Sequence, residues 1–146
     1  MLRVVLDTNI VVSALHQPDS DADIVMNLVL APEPDLLQLC LSEEIWTEYQ
    51  EMLSRPKFSS FDGAKIKALL AAIKQASFWV VPQVRVDLSR ADPADNQFLA
   101  CALAAQADFL ITGNTRHFPK RLQTTRIVTL REFIEVEMIR SLLREE

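Results

Sequence analysis

The chain begins with the stretch MLRVVLDTNIVVSAL, residues 1–15, and this stretch decides the fold. Residues 2–6 are apolar or β-branched apart from Arg3, which predicts a buried first strand. Asp7 follows directly, and a helix can begin at Thr8 and run to about residue 15. Ligands of open α/β sheets bind beyond the carboxyl ends of the strands, so Asp7 lies where a functional residue is expected.

Short apolar strands alternate with helices along the rest of the sequence, which predicts a parallel sheet covered on both faces. The predicted strands cover residues 36–41, 78–81, 109–111 and 127–128. The predicted helices cover about residues 21–30, 42–54, 63–76 and 92–107, with a last helix after 129. Four helix N-caps are expected, at Asp21, Ser42, Asp92 and Thr129. Asp95 and Glu132 stand three residues after the last two, in capping-box or capping-box-like arrangements. We expect one domain over residues 1–146.

The composition excludes several classes of protein. Two glycines in 146 residues rule out a glycine-rich phosphate-binding loop. No apolar run reaches the ~20 residues that span a bilayer, and Asp7 interrupts the one segment that could pass for a signal peptide. Cys40 and Cys101 lie in apolar stretches far apart, so we interpret them as reduced core thiols of a cytoplasmic protein.

The charges are distributed unevenly along the chain. Residues 1–54 hold ten acids and one base, whereas residues 55–131 hold twelve bases and five acids. Residues 109–131 contain no acid and five bases: Arg116, Lys120, Arg121, Arg126 and Arg131. Such a run is either a solvated surface or an edge that contacts phosphates.

Three acids are candidates for chemistry, and each has a second interpretation. Asp7 either caps the helix after it or binds a metal. Glu48 lies at the border of an amphipathic helix, where it is either an ordinary surface residue or reaches a cleft. Asp95 shares a helical stripe with apolar residues, so it either caps that helix or needs a cation to offset its burial.

These residues lie in motifs that resemble the PIN-domain nuclease family. Asp7-Thr8-Asn9 after an apolar strand resembles the family's opening motif, and residues 42–53 resemble the helix of its second acid. Residues 92–104 and 107–114 resemble the third-acid helix and the strand after it. The motifs Asp-Pro-x-Asp-Asn and Thr-Gly-Asn…His-Phe-Pro resemble those of the branch that contains toxin components of bacterial toxin–antitoxin pairs.

The resemblance implies a three-layer α/β/α fold with a central, mostly parallel sheet of about five strands. It implies that Asp7, Glu48 and Asp95 are catalytic and bind Mg²⁺ or Mn²⁺. The family often has a fourth acid where this chain has Asn114, whose amide adds no negative charge, so we expect one firmly held ion. Asp92 is a further candidate ligand that could compensate. Thr8, Asn9, Ser13 and Thr112 are expected to form hydrogen bonds in the cleft, and four residues to bind RNA: Arg116, His117, Lys120 and Arg121.

The resulting hypothesis is a metal-dependent endoribonuclease that hydrolyses RNA phosphodiester bonds, with an antitoxin protein as partner. One alternative is a catalytically weakened PIN-fold module that binds RNA or protein, which Asn114 favours. A receiver or phosphatase domain with Asp7 as nucleophile is disfavoured, because a second adjacent acid and a suitably placed lysine are missing. A homodimer is expected if four aromatic residues form an apolar patch: Trp46, Phe58, Phe61 and Trp79.

Overall fold

A computed structural model of the chain describes residues 2–31, 37–58, 62–87, 93–136 and 139. Its strands are β1 (Leu2–Leu6), β2 (Leu37–Leu41), β3 (Phe78–Trp79), β4 (Phe109–Ile111), β5 (Arg121–Leu122) and β6 (Thr125–Val128). Its α-helices are α1 (Thr8–His16), α2 (Asp21–Leu30), α3 (Glu43–Leu53), α4 (Gly63–Ala76), α5 (Asn96–Ala105) and α6 (Leu130–Ile134). Short 3₁₀ helices cover Pro56–Phe58, Pro93–Asp95 and Thr115–His117.

The strands form one six-stranded sheet in the order β3-β2-β1-β4-β6-β5. All neighbours pair in parallel except β5 and β6, which form an antiparallel hairpin. The mostly parallel sheet flanked by helices confirms the predicted fold class. β5 was not predicted, because its two residues, Arg121 and Leu122, carry no apolar pattern and its pairing depends on a tight turn at Gln123.

The core lies where the central strands meet the helices. Val4, Val5 and Leu6 of β1 are fully buried, as expected for a central strand with both faces covered. Helix α5 packs against β1, β2 and β4, while α2 packs against β2 and α6 against β4. Within the described ranges, no helix has both the length and the apolar character needed to cross a membrane.

Helix caps agree with the sequence at two of the predicted positions. The Ser42 hydroxyl accepts a hydrogen bond from the Ile45 N–H, and Thr129 with Glu132 forms a complete capping box. The predicted cap of α2 was wrong by one residue: Ser20 is the N-cap, and its side chain accepts from the Asp23 N–H. The predicted cap at Asp92 lies outside the described residues.

Both cysteines are free and buried, as predicted for core thiols. Burial raises the pKa of Cys40 and of Cys101 from 9.0 to about 12. At neutral pH both side chains are therefore protonated thiols, which are poor nucleophiles and poor metal ligands.

Candidate active site

Asp7 lies directly after β1, at the carboxyl edge of the sheet, and is 6% exposed. Its peptide N–H donates to the carbonyl of Ile111 at 3.0 Å, so the end of β4 fixes its backbone. The hydroxyl of Thr112, which is fully buried, donates to Oδ2 of Asp7 at 2.7 Å. Asp7 occupies the N-cap position of α1 but forms no side-chain capping bond, so capping does not account for its carboxylate.

Glu48 is held at the same edge by two neutral donors. The Thr8 hydroxyl donates to its Oε2 atom, and Nε2 of Gln97 donates to its Oε1 atom at 2.8 Å. Because Thr8 follows Asp7 directly, this contact brings the two acidic positions to one part of the sheet edge. Glu48 is partly buried, whereas the other acids of α3 are exposed, as the helical periodicity predicted: Glu43, Glu44 and Glu51.

Tyr49, the residue after Glu48, forms a hydrogen bond with the last residue of β1. Its side chain is fully buried, and its hydroxyl donates to the carbonyl of Leu6, the residue before Asp7, at 2.6 Å. Burial raises the pKa of Tyr49 well above its ordinary value, and its acidic neighbours Cys101, Asp7 and Glu48 raise it further. The phenol therefore stays protonated and keeps donating to the end of β1.

Asp95 lies just before α5 rather than in its first turn. Pro93–Asp95 forms a 3₁₀ turn and the α-helix begins at Asn96, which corrects the predicted helix start near residue 92. Asp95 is partly buried and makes no side-chain capping bond. Gln97, two residues later, reaches Glu48, so the start of α5 adjoins the acidic edge. The candidate ligand Asp92 lies outside the described residues.

The three predicted ligands do not form a ready-made cluster. In the described part of the chain, no three His, Cys, Asp or Glu side chains come together in a way that could hold a metal ion. Asn114, at the position of the family's fourth acid, is exposed. Its peptide N–H donates to Oγ1 of Thr112 at 3.1 Å, so the loop after β4 is connected through Thr112 to Asp7.

Asp7 and Glu48 nevertheless have the chemistry that a hard divalent cation requires. Within the described ranges, their side chains accept hydrogen bonds from neutral groups and from no Lys, Arg or His. There, Oδ1 of the buried Asp7 accepts no hydrogen bond at all. A buried carboxylate without a counter-charge is unfavourable, and a cation bound by carboxylate oxygens would offset that cost.

The remaining predicted site residues differ in how far they are exposed. Asn9 is exposed and Ser13 is partly buried, and in the described ranges neither side chain forms a hydrogen bond. His117 is partly buried in the 3₁₀ helix after Asn114. The other three predicted RNA-binding residues are exposed beside it: Arg116, Lys120 and Arg121.

Two grooves are lined by residues at or near the hydrogen-bond partners of the carboxylates. One, of about 500 Å³, is lined by residues 82–87 and by the start of α5, including Gln97, the partner of Glu48. The other, of about 800 Å³, begins at Thr115 and Arg116, shortly after Thr112, the partner of Asp7. Asp7, Glu48 and Asp95 themselves line neither groove.

Sequence reasoning missed Gln97 and Tyr49. Gln97 directly follows the motif Asp-Pro-x-Asp-Asn, but its role depends on α5 lying against α3, 49 positions earlier in the chain. Tyr49 belongs to the apolar face of α3 and was interpreted as core. Its position next to Glu48 was the one local signal that its hydroxyl could reach the site.

Comparisons with known proteins agree with this architecture. A family model described as PIN domain matches residues 3–116. Among solved structures, the chain is similar to VapBC2 from Rickettsia felis bound to a DNA fragment from their promoter. The TM-score is 0.58 at 16% sequence identity, and the match covers 88% of this chain and 98% of that one. No curated protein matches the sequence.

Proposed function

The chain belongs to the PIN domain family, and on that premise we propose that it is a divalent-metal-dependent endoribonuclease acting in the cytoplasm. PIN domains are generally nucleases, which are hydrolases. The finer assignments, RNA as substrate and Mg²⁺ or Mn²⁺ as cofactor, are part of the proposal.

The observation that carries the proposal is the pair of carboxylates at the carboxyl edge of the sheet. Asp7 is buried and Glu48 partly buried, and their described partners, Thr112, Thr8 and Gln97, are neutral. Neutral donors orient a carboxylate without neutralising it, as the outer partners of metal ligands do. This arrangement suits residues that bind a cation better than residues that form an internal ion pair.

The proposed roles follow from position. Asp7 and Glu48, joined by Asp95 from the start of α5, would hold the ion. When bound, the ion would supply positive charge that stabilises the phosphate in the transition state. Glu48 also orients a water molecule in line with the scissile phosphate, and Thr112 and Thr8 keep the two carboxylates in place. Hydrolysis would leave a 5′-phosphate and a 3′-hydroxyl.

RNA binding is assigned to the loop after β4. Arg116, Lys120 and Arg121 are exposed and carry positive charge, and His117 lies among them. Because the carboxylates repel phosphates, cations beside them would hold the backbone while the metal fills the cleft. The groove that begins at Thr115 gives the strand a path that starts three residues after Thr112, the hydrogen-bond partner of Asp7.

The site is proposed to hold one firmly bound ion. Asn114 stands where the family often has a fourth acid, and the amide supplies no charge for a second ion. Its exposed side chain and its backbone bond to Thr112 fit a role in fixing the loop. Asp92 could add a ligand.

A toxin role with a protein antitoxin is the proposed biological setting. It rests on the motifs of residues 92–96 and 112–119, and the fold shared with VapBC2 is consistent with it. A homodimer is also proposed, through a surface that includes Trp46 and Trp79. Both side chains are partly buried, and their rings meet edge to face with centroids 6.1 Å apart. The Phe58 side chain and Phe61 lie outside the described residues.

A second candidate function is a PIN-fold module that binds RNA or protein without cutting. Asn114 favours it, together with the lack of a three-acid cluster among the described residues. The two functions differ in one observable, which is metal-dependent production of new RNA ends.

The deciding experiment is incubation of the protein with a panel of single-stranded RNAs in Mn²⁺, in Mg²⁺ and in EDTA. The proposal expects cleavage with either metal and none in EDTA. Cleavage that persists in EDTA, or RNA binding with no cleavage under any condition, would contradict it. Mapping the ends by ligation tests the expected 5′-phosphate.

A further inference from the structure

The second groove follows the edge of the sheet formed by β5 and β6. Its volume is about 800 Å³, and its lining includes four cations and one acid: Arg116, Lys120, Arg121, Arg126 and Glu132. The acid is already engaged, since Oε1 of Glu132 accepts the Thr129 N–H in the capping box of α6. The groove is therefore strongly positive.

Arg121 and Arg126 face each other across the hairpin. They are register partners in the antiparallel pairing of β5 and β6, so their side chains leave the same face of the sheet. Like charges directly opposite each other destabilise a strand pair. A bound anion between the two guanidinium groups would remove this repulsion and form charge-assisted hydrogen bonds with both.

Among the described residues, these four cations form no ion pair with an acidic side chain. The side chains of Arg116, Lys120 and Arg121 form no hydrogen bond or ion pair there. The guanidinium of Arg126 lies 5.7 Å from the ring centroid of Phe109, which supports it without neutralising it. Sequence reasoning included Arg126 in a basic run but did not assign it to the RNA-binding set.

The arginine pair has a fixed relation to the carboxylate edge. Val128 of β6 pairs with Ile111 at the carboxyl end of β4, and the Val128 carbonyl accepts the Thr112 N–H at 3.0 Å. Arg126 pairs with Phe109, two residues earlier along β4. At about 3.3 Å per residue, the pair lies roughly 7 Å back along the strand from that edge.

We propose that Arg121 and Arg126 bind a phosphate of single-stranded RNA that flanks the scissile phosphate, so that the strand lies along the β5–β6 edge. This inference rests on the proposed function and specifies how the substrate is held. An unpaired strand is assigned because it can bend to bring one phosphate to Asp7 and another to the hairpin, two to three strands away in the sheet. Through the arginine pair, nucleotides beyond the scissile phosphate add to the affinity for RNA.

The test measures binding without cleavage, so its result does not depend on nuclease activity. A fluorescent 12-nucleotide RNA is titrated in EDTA by anisotropy, at several salt concentrations, with the wild type and the Arg121→Gln/Arg126→Gln variant. We expect roughly tenfold weaker binding by the variant at low salt. The salt slope should fall by about 0.7, since the two arginines together bind one phosphate and each phosphate contact with a single strand contributes about 0.7.

The matched control is Arg55→Gln/Lys65→Gln, which removes the same charge from two exposed residues. Lys65 belongs to α4, which leads into β3, the opposite edge strand of the sheet. The control should bind RNA nearly as tightly as the wild type. Thermal unfolding should show that the hairpin variant is folded and no less stable, because a like-charge pair has been removed.

Several results would overturn the proposal. Undetectable RNA binding by the wild type is one, and equal losses in the hairpin and control variants would indicate a general charge effect. Unchanged binding by the hairpin variant would remove the pair from the RNA path. Tighter binding of the corresponding duplex, with the same dependence on Arg121 and Arg126, would contradict the single-stranded assignment. Absence of cleavage would bear on the proposed function alone.

Discussion

The hydroxyl of Thr112 donates a 2.7 Å hydrogen bond to Oδ2 of Asp7, joining the residues that follow the two central strands β1 and β4. Both residues are buried, and Oγ1 of Thr112 also accepts the Asn114 N–H. The contact ties the most buried acid of the site to the loop that carries the RNA-binding candidates. Thr112 is therefore a positioning residue for Asp7.

Thr112→Val removes this donor at nearly constant side-chain volume. Because outer partners of metal ligands typically contribute about 10- to 100-fold, Mn²⁺ affinity should fall by about that factor. Titration calorimetry with Mn²⁺ measures the effect without any RNA present.

The control for this variant is Thr125→Val. Thr125 is equally buried, and its hydroxyl donates to the Ala107 carbonyl at 2.6 Å, at the start of β6 and not at Asp7. It should lower stability without changing Mn²⁺ affinity. Equal affinities in the two variants would mean that Thr112 has a purely structural role.

Glu48→Gln keeps the shape of the side chain but removes its charge. If Glu48 helps to hold the ion and orients water, the rate of RNA cleavage should fall by about 100-fold or more. Glu51→Gln, on the exposed face of the same helix, should cleave at the wild-type rate. Matching rates for the two variants in a gel assay would exclude a role for Glu48 in the site.

Tyr49→Phe removes the hydroxyl that donates to the Leu6 carbonyl at 2.6 Å. Since this phenol is fully buried, the free energy of unfolding should fall by about 1 to 3 kcal/mol. Urea denaturation followed by circular dichroism gives the value. A variant as stable as the wild type would show that this carbonyl needs no phenol partner.

The free energy of unfolding should decrease as the pH rises above 9, because of the two buried thiols. Burial raises the pKa of Cys40 and Cys101 from 9.0 to about 12, so above pH 9 the unfolded chain loses these protons before the folded one. The stabilisation is complete below about pH 9 and is lost as the pH rises towards 12. Urea unfolding at pH 8, 9 and 10 should show a decline that is shallower in Cys101→Ala. Identical declines would contradict the role of that thiol.

The sequence predicted those parts of the fold that depend on local patterns. The apolar run before Asp7 defined β1, and the helical periodicity around Glu48 separated it from the exposed acids of α3. Thr129 and Glu132 marked the start of α6 through a capping box, which has a fixed spacing. Each signal lies within a few neighbouring residues.

The remaining features depend on contacts between distant parts of the chain. β5 exists because Arg121 and Leu122 pair with β6, although neither forms an apolar strand pattern. Gln97 contacts Glu48 because two helices pack together, and Arg126 faces Arg121 because of a hairpin register. A pattern of neighbouring residues does not encode contacts between distant segments. The hydrogen bond from Gln97 to Glu48 therefore could be found only in the three-dimensional structure.

The most direct test of the proposed metal-dependent nuclease is the initial rate of RNA cleavage in Mn²⁺ by Asp7→Asn relative to the wild type. Asp21→Asn, which changes an exposed acid in the first turn of α2, is the control, and circular dichroism checks that all three proteins are folded. We expect the Asp7 variant to lose cleavage by about 100-fold or more while the control keeps the wild-type rate. Full activity in a folded Asp7→Asn protein would contradict the assignment of Asp7 as a metal-binding catalytic residue.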